Sequence, residues 1–332
     1  MLITQTPLRI SLAGGGTDLP EYYRRHGGAV LSTAIDKYVY VIINERYDDR
    51  IYVDYSRKEI VDSVAEIEHD LVREAARITG MTNGFEVMMM ADIPSEGSGL
   101  GSSSSITVGL LNAFYQYRGV QVGAEQLARE ACHIEIDILG RPIGRQDQYI
   151  AAYGGLRLFE FSATEEDSDI VQERTLPVDP AEVRRLGSNL LLFFTSIVRK
   201  SSPILAEQRE KIEENVERHR AIRDLVDVVR DAVVVGDHDR VGEALHENWS
   251  LKKELAAGVS NPDIDRMYER ALNGGAIGGK ISGAGGGGFL LCYCRRDRQD
   301  ELRRAMSEYR EMPFMFEQFG SRVIFQHRRY SW

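Results

Sequence analysis

The sequence predicts a two-domain α+β protein. Strand-like segments and helical periodicities follow one another in the first half of the chain, whereas long helical segments dominate the second half. Between them, residues 162–180 lack periodicity and gather acids and prolines, as sequences between domains often do. A chain of 332 residues is long enough for two hydrophobic cores. We therefore predict a first domain over residues 1–170 and a second over residues 181–332.

The first domain is predicted to combine a sheet with helices. β-Branched and aromatic residues predict strands at 2–12, 29–46, 51–55 and 85–93, followed later by a strand that ends at Phe161. Apolar residues at helical spacing predict helices at 68–78, 103–117 and 125–139.

The second domain is predicted to be mainly helical. Helical patterns cover residues 202–235 and 237–257, and Asn261 before Pro262 is a typical start for a further helix that runs to about residue 272. Short strands are predicted at 189–194, 280–282, 288–294 and 322–327, with a helix near 298–309.

The composition restricts the class of protein. With 43% hydrophobic and 28% charged residues the chain is typical of a globular protein, and its net charge of −10 argues against broad nucleic-acid binding. No apolar stretch approaches the length of a membrane span, and no signal-peptide pattern follows Met1. We expect a cytoplasmic protein without membrane or nucleic-acid partners.

Neither cysteines nor histidines indicate a transition-metal site. The spacing of Cys132, Cys292 and Cys294 fits neither a disulfide set nor a zinc site, and no histidine pair has H-x-x-x-H spacing. Any metal is therefore expected to be magnesium that arrives with a nucleotide.

Three glycine-rich stretches are the most informative feature of the chain. They read AGGGTD at 13–18, GSGLGSSSS at 97–105 and SGAGGGG at 282–288. Such clusters cost backbone entropy, and they are found where the main chain approaches a ligand or needs positive φ. They suggest one polyphosphate site assembled from distant segments.

The middle stretch lies between a strand that ends at Pro94 and an apolar helical pattern that starts near Ser103. A serine-glycine loop that opens a helix offers free N–H groups and the positive end of the helix dipole to an anion. A nucleoside triphosphate is the natural ligand; a flexible linker or an ordinary helix cap is the alternative.

Two familiar nucleotide motifs are present in the wrong context. G-x-G-x-x-G at 283–288 precedes a strand-like segment where a dinucleotide site requires a helix, which argues against an oxidoreductase. G-x-x-x-x-G-K at 274–280 is followed by Ile281 where a P-loop has Ser or Thr, and no helix is indicated after it.

Together with the Pro7-Leu8-Arg9 segment, Glu135 and Asp147, the three stretches resemble those of the GHMP kinases in the same order. This superfamily is named for galactokinase, homoserine kinase, mevalonate kinase and phosphomevalonate kinase. The resemblance implies an N-terminal half like the second domain of ribosomal protein S5 and a ferredoxin-like C-terminal half. TPLRISLAGGGTD at 6–18 and TSIVR at 195–199 are similar to the heptose 7-phosphate kinases and related sugar kinases.

The resemblance implies an ATP site with magnesium. Its nucleotide-binding residues would be Ser98, Gly99, Leu100, Gly101, Ser102, Ser103, Ser104, Gly285 and Gly286, with Ser103 and Glu135 as the metal ligands. Oxygen ligands suit a hard cation that bridges two phosphates. The alternative for Glu135 is a surface position on an amphipathic helix.

Asp147 corresponds to the family's catalytic aspartate and would accept the proton of the attacking sugar hydroxyl. Arg9 corresponds to a basic residue beside it, where a fixed cation would favour the alkoxide. The alternative for Arg9 is an ion pair at the end of a strand.

Substrate contacts are implied for both ends of the sugar. The implied residues are Gly15, Gly16, Thr17, Asp18, Gly283, Arg145 and Arg199, with Arg141 and Lys200 as further cations for a substrate phosphate. Asp18 could instead cap the following helix.

The function expected from the resemblance is ATP-dependent phosphorylation of the anomeric hydroxyl of D-glycero-D-manno-heptose 7-phosphate to the 1,7-bisphosphate. Two alternatives stay open: a kinase for an unphosphorylated sugar of the fucose, galactose or glucuronate type, and a non-catalytic sugar-binding regulator. The partner is a small-molecule sugar or sugar phosphate, and the sequence leaves the oligomeric state open.

Overall fold

The computed structural model describes residues 1–94, 97–164, 168–198 and 202–327. Its strands are β1 (Leu2–Ala13), β2 (Gly28–Glu45), β3 (Ile51–Asp54), β4 (Lys58–Val61), β5 (Phe85–Ala91), β6 (Leu156–Ala163), β7 (Asp169–Thr175), β8 (Leu190–Phe194), β9 (Gly278–Ile281), β10 (Phe289–Tyr293) and β11 (Arg322–Gln326). Its α-helices are α1 (Pro20–His26), α2 (Asp70–Thr79), α3 (Ser102–Tyr117), α4 (Ala124–Cys132), α5 (Gln146–Tyr153), α6 (Pro180–Ser188), α7 (Ser202–Glu210), α8 (Val216–Val235), α9 (His238–Lys253), α10 (Pro262–Asn273) and α11 (Gln299–Ala305).

Two sheets organise these elements. The larger has the strand order β11-β1-β2-β5-β3-β4, and β6 and β7 continue it from the first part of the long strand β2. All its pairs are antiparallel except β3 with β5. The smaller sheet is antiparallel with the order β8-β10-β9. The structure therefore confirms the predicted α+β class.

Alternating side chains place the large sheet between two cores. On one face, Val108 and Phe114 of α3 pack with Val41 and Ile43 of β2. On the other face, Leu8, Ile10 and Leu12 of β1 pack with Val226 and Val229 of α8, which joins the two halves of the chain in one hydrophobic cluster. A third cluster around Trp249 and Leu290 lies within the second half.

Several predicted elements need correction. Residues 169–175 lie in the segment predicted to lack regular structure, but they form β7, which pairs with β6. The sequence predicts the strand near the C-terminus as part of the second domain, but β11 pairs with β1 in the large sheet. Helices α1 and α5 were not predicted, and the predicted helix at 125–139 changes to a π-helical turn at His133–Ile138.

Candidate active site

The three glycine-rich stretches meet at a cavity of about 620 Å³ between the two halves of the chain. Fourteen of the predicted site residues line it: Arg9, Gly15, Gly16, Asp18, Ser98, Gly99, Gly101, Ser102, Ser103, Ser104, Glu135, Asp147, Gly283 and Gly285. The structure thus brings together residues that are separated by up to 276 positions in the chain, from Arg9 to Gly285.

Helix α3 begins at one wall of this cavity. Its N-cap is Gly101 at φ 80°, and no side chain caps the helix there. The first N–H groups of the helix therefore have no side-chain acceptor at the cap, and they carry the positive end of the helix dipole. Ser102, Ser103 and Ser104 add hydroxyl groups to the same wall. This arrangement suits a phosphate group.

The middle and third glycine stretches are in backbone contact across the cavity. A Cβ on Gly99 would lie 2.3 Å from the carbonyl oxygen of Ser282, and Gly99 has φ +71°. A side chain at this position would therefore both clash with backbone and strain its own residue. Glycine at 99 lets the two loops close around the same space.

Arg9 on β1 and Asp147 on α5 form a bidentate ion pair. The Nε and Nη2 atoms of Arg9 donate to the two carboxylate oxygens of Asp147 at 2.7 and 2.6 Å, and Nη1 donates to the carbonyl oxygen of Gly99 at 2.6 Å. Arg9 is buried, whereas the Asp147 side chain is 23% exposed at the cavity. Each Asp147 oxygen keeps a lone pair for one more donor.

Asp147 lies directly beside the start of helix α3. A Cβ on Gly101, the N-cap, would lie 3.3 Å from Asp147 Oδ2. A phosphate bound at the helix N-terminus would therefore adjoin a carboxylate that can accept a proton.

Glu135 is fully buried in the π-helical turn after α4. Its Oε1 accepts from Ser103 Oγ at 2.7 Å and from Arg141 Nη1 at 3.0 Å, and its Oε2 accepts from Gln148 Nε2 at 2.8 Å. Burial raises the pKa of this carboxyl group, and the Arg141 guanidinium opposes that rise. The sequence-level alternative of a surface glutamate is therefore wrong.

Asp18 is also buried, but its partners are neutral. Its Oδ1 accepts from the Gly16 N–H at 2.9 Å and Gln146 Nε2 at 3.2 Å, and its Oδ2 accepts from the Gln146 N–H at 3.1 Å. Its pKa is raised, chiefly by burial and further by the negative charge of Asp147. Asp18 does not cap α1, whose N-cap is Leu19.

Four predicted site residues do not line the cavity. The Thr17 hydroxyl is engaged by the backbone of Gly14 and Ala29, and Leu100 is buried in the core. The N–H of Gly286 donates to Val259 O at 2.7 Å. Arg145 donates to the Tyr23 hydroxyl at 2.7 Å and forms an ion pair with Asp169.

Arg145 therefore points away from the predicted sugar site, although it is only two positions from Asp147 in the chain. Its two partners, Tyr23 and Asp169, come from α1 and β7, two of the elements that the sequence patterns did not predict. The predicted residues Arg199 and Lys200 lie outside the described part of the chain.

The structure adds cavity residues that sequence reasoning missed: Gln146, Lys252 and Lys280. Both lysines are buried, at 5% and 2% exposure. The available signal for Lys280 was its position in the segment AIGGKIS at 276–282, where a lone lysine follows glycines inside a strand.

Comparison with known proteins identifies the class of this chain. The family models "GHMP kinases N terminal domain" and "GHMP kinases C terminal" match residues 69–155 and 229–311. The D-glycero-alpha-D-manno-heptose 7-phosphate kinase of Campylobacter jejuni is 31% identical over 91% of this chain and 92% of that protein. A galactokinase of Pyrococcus furiosus is 26% identical over 92% of each chain.

A solved structure agrees with these sequence matches. The crystal structure of a D-glycero-D-manno-heptose 1-phosphate kinase from Bacteroides thetaiotaomicron superposes with a TM-score of 0.81, at 28% identity and full coverage of both chains. The fold and the site define a phosphotransferase that acts on an alcohol group. The chain belongs to the GHMP kinases and is an ATP-dependent sugar kinase, which confirms the predicted family and activity.

No helix in the described ranges is both long enough and apolar enough to cross a membrane.

Proposed function

We propose that this protein transfers the γ-phosphoryl group of ATP to the anomeric hydroxyl of D-glycero-D-manno-heptose 7-phosphate. The 31% identity with a heptose 7-phosphate kinase over most of both chains supports the acceptor. The observation that carries the reaction is the position of the Asp147 carboxylate, which is paired with Arg9 and adjoins the N-terminus of α3. A proton acceptor and a phosphate site lie side by side there.

In this reaction the anomeric oxygen forms a bond to the γ-phosphorus while the bond between that phosphorus and the β–γ bridging oxygen breaks. The hydroxyl proton passes to Asp147, and ADP is the leaving group. Arg9 holds the carboxylate in place through two hydrogen bonds and stabilises the oxyanion that develops. The N–H groups of α3 and the glycine loops bind the phosphates.

Ser103 and Glu135 would hold the magnesium ion of the nucleotide. A hydroxyl and a buried carboxylate are oxygen donors of the kind that magnesium accepts, and they already lie 2.7 Å apart. The described residues contain no cluster of three or more acids, histidines or cysteines for a metal, so the remaining ligands must come from phosphates and water. When bound, magnesium neutralises charge on the phosphates.

In the structure, the guanidinium of Arg141 contacts both of these oxygen ligands. Its Nη1 lies 2.6 Å from Ser103 Oγ and 3.0 Å from Glu135 Oε1. A cation already compensates the buried carboxylate, so magnesium would take the place of this guanidinium beside Glu135, while Arg141 Nη2 keeps its ion pair with Asp70.

The main alternative is a kinase for an unphosphorylated sugar. The galactokinase relative supports it, and so does the engagement of Arg145 by Tyr23 and Asp169, which removes one predicted cation from a substrate phosphate.

A substrate panel tests the proposal. ATP turnover with magnesium is measured against hexoses, heptoses and their terminal phosphates, and phosphorus NMR identifies the phosphorylated carbon. We expect turnover confined to the 7-phosphoheptose, with a 1,7-bisphosphate product. Preference for a free sugar would overturn the proposed acceptor while the kinase activity stays.

A further inference from the structure

Two lysines of the second half face the cavity without an acidic partner. Lys252 is in the last turn of α9 and Lys280 is in β9, and the mechanism above uses neither. Lys252 Nζ donates to the carbonyl oxygen of Gly283, and Lys280 Nζ donates to Asn248 Oδ1 at 3.2 Å. Neither lysine takes part in an ion pair among the described residues.

Burial of these two ammonium groups is costly because each has only a neutral acceptor. Burial lowers the pKa of Lys252 to about 8 and lowers that of Lys280 well below its ordinary value. The pKa of Lys280 is lowered further by the charge of Lys252. Each ammonium has three N–H donors, so both keep donors for another acceptor. The pair therefore offers positive charge and free N–H donors to an anion.

The lysines lie at the acceptor end of the cavity. Lys252 Nζ donates to the carbonyl oxygen of Gly283, and the backbone of Gly283 packs against Gly99. The carbonyl oxygen of Gly99 in turn accepts from Arg9, the partner of Asp147. An anion on the lysines would thus be close to the sugar.

We propose that Lys252 and Lys280 form the subsite for the phosphate group that the sugar acceptor already carries. This inference rests on the proposed function and names the residues that select its substrate. A phosphate monoester carries close to two negative charges at neutral pH, which two ammonium groups compensate. Asp18 would accept hydroxyls of the same acceptor.

Two of the arginines predicted for this role, Arg141 and Arg145, lie in the described part of the chain and are already engaged. Arg145 is paired with Asp169, and Arg141 is paired with both Asp70 and Glu135. Binding a phosphate on either would require an existing ion pair to break, whereas Lys252 and Lys280 would exchange neutral acceptors for charged ones.

The test compares Lys252→Met and Lys280→Met with wild type and with Lys253→Met. Lys253 is the neighbour of Lys252 on α9, but its side chain is 37% exposed and pairs with Asp265 at 3.4 Å. Methionine preserves the volume of the lysine stem and removes a buried charge, so the melting temperatures should be unchanged or higher. Each enzyme is assayed with heptose 7-phosphate, with heptose, and with varied ATP.

We expect wild type and Lys253→Met to prefer heptose 7-phosphate strongly over heptose. Lys252→Met and Lys280→Met should each lose about 10- to 100-fold in kcat/KM for the phosphorylated sugar, mainly through KM, since each removes a charged hydrogen bond. Their activity toward heptose and their KM for ATP should change less than threefold.

The other outcomes are distinct. A wild-type enzyme without preference for the phosphorylated sugar contradicts the proposed function and removes the basis of this subsite. If wild type prefers heptose 7-phosphate and both lysine variants keep that preference, the subsite is wrong but the proposed function stands. A rise confined to the KM for ATP assigns the lysines to the nucleotide phosphates instead and also overturns it.

A second measurement needs no variant. Inorganic phosphate is titrated into the wild-type reaction, and inhibition is analysed against each substrate. We expect competition with heptose 7-phosphate and not with ATP. Competition with ATP alone would contradict the acceptor subsite, even if both lysine variants failed to fold.

Discussion

The two sides of the cavity differ in how their buried charges are compensated. On the paired side, which the first half builds, Arg9 is paired with Asp147 and Arg141 with Glu135, at N–O distances of 2.6 and 3.0 Å. On the unpaired side, which the second half builds, Lys252 and Lys280 donate to a carbonyl and an amide oxygen and form no ion pair with any described residue.

This difference separates two tasks of a kinase site. Paired charges hold their geometry without a ligand, which suits groups that must be in place when the phosphoryl group moves. Unpaired buried charges are stabilised only when a ligand brings the opposite charge, which suits recognition. The first half would therefore supply the chemistry, and the second half would select the acceptor.

The largest effect is expected from Asp147→Asn on the paired side. The amide cannot take the acceptor's proton, and its NH2 group faces the Arg9 guanidinium that now donates to the carboxylate. Loss of a general base lowers kcat by about 10³-fold. Steady-state kinetics with saturating ATP and acceptor measure this loss, and circular dichroism checks the fold.

A matched control is Asp227→Asn on α8. Asp227 is paired with Arg223 at 2.6 Å and with Arg230 at 2.5 Å, is half-exposed, and is not among the residues that line the cavity. Its turnover should remain within twofold of wild type. If Asp147→Asn folds normally and retains near-wild-type kcat, the acceptor proton does not pass to Asp147, and Arg9 with magnesium would have to supply the electrostatic stabilisation.

The unpaired side predicts an unusual pH dependence of stability. The folded pKa of Lys252 is about 8, below its ordinary value of 10.5. A lysine with a depressed folded pKa contributes stability that is present above its unfolded pKa and is lost as the pH falls through the folded value. Wild type should therefore be less stable than Lys252→Met at pH 7, by about 3 kcal/mol at most.

This difference should shrink between pH 8 and pH 10.5 as the lysine in the folded protein loses its proton. Urea unfolding of both proteins across this range measures it, with Lys253→Met as the reference for loss of an exposed charge. A constant difference across the range would show that Lys252 titrates normally, and the contrast between the two sides would then lose its basis.

Much of the paired side was open to sequence reasoning because its signals are contiguous. The glycine stretches and the start of α3 are each read from one short segment, and the structure places α3 within one residue of the predicted start. The ion pair of Arg9 with Asp147 was expected from family resemblance, since nothing in the spacing of two residues so far apart predicts their contact.

The unpaired side was missed for a physical reason. Lys252 and Lys280 lie on different elements, and only the packing of α9 on β9 brings them to one cavity. Arg145 shows the converse. Its sequence position beside Asp147 suggested a substrate contact, but α1 and β7 supply Tyr23 and Asp169, and neither short element has a periodicity that predicts it.

A smaller effect is expected from Glu135→Gln. The amide keeps the shape of the side chain but loses the charge that would attract magnesium, so kcat/KM at fixed magnesium should fall by about 100-fold. The concentration of magnesium needed for half-maximal rate should rise. Titration of the rate with magnesium at constant ATP measures both effects.

Asp70→Asn serves as the control for this substitution. Asp70 contacts the other side of the same guanidinium, Arg141 Nη2, at 2.9 Å. It should change the magnesium requirement less than threefold, because it is not a donor to the metal. Equal magnesium responses in Glu135→Gln and wild type would mean that Glu135 only neutralises Arg141.

The smallest effect is expected from Gln146→Met, which acts on Asp18, a buried acid of the first half that has no cationic partner among the described residues. Asp18 lies on the paired side, but its donors are neutral, and Gln146 supplies two of them. Gln146→Met removes the side-chain donor and leaves the backbone one, so Asp18 should be held less firmly as an acceptor of sugar hydroxyls. A lost hydrogen bond to a charged group corresponds to about a 10-fold rise in KM for the sugar. The kcat should stay within threefold, because Asp147 keeps its bonds to Arg9.

Gln126→Met on α4 is the matched control, because the Gln126 amide donates to Glu130 at 2.9 Å outside the cavity lining. A fall in kcat without any change in KM would mean that Asp18 acts on the reaction itself, like the ion-paired groups. Charge pairing would then distinguish the groups that react from those that recognise the sugar only in the second half of the chain.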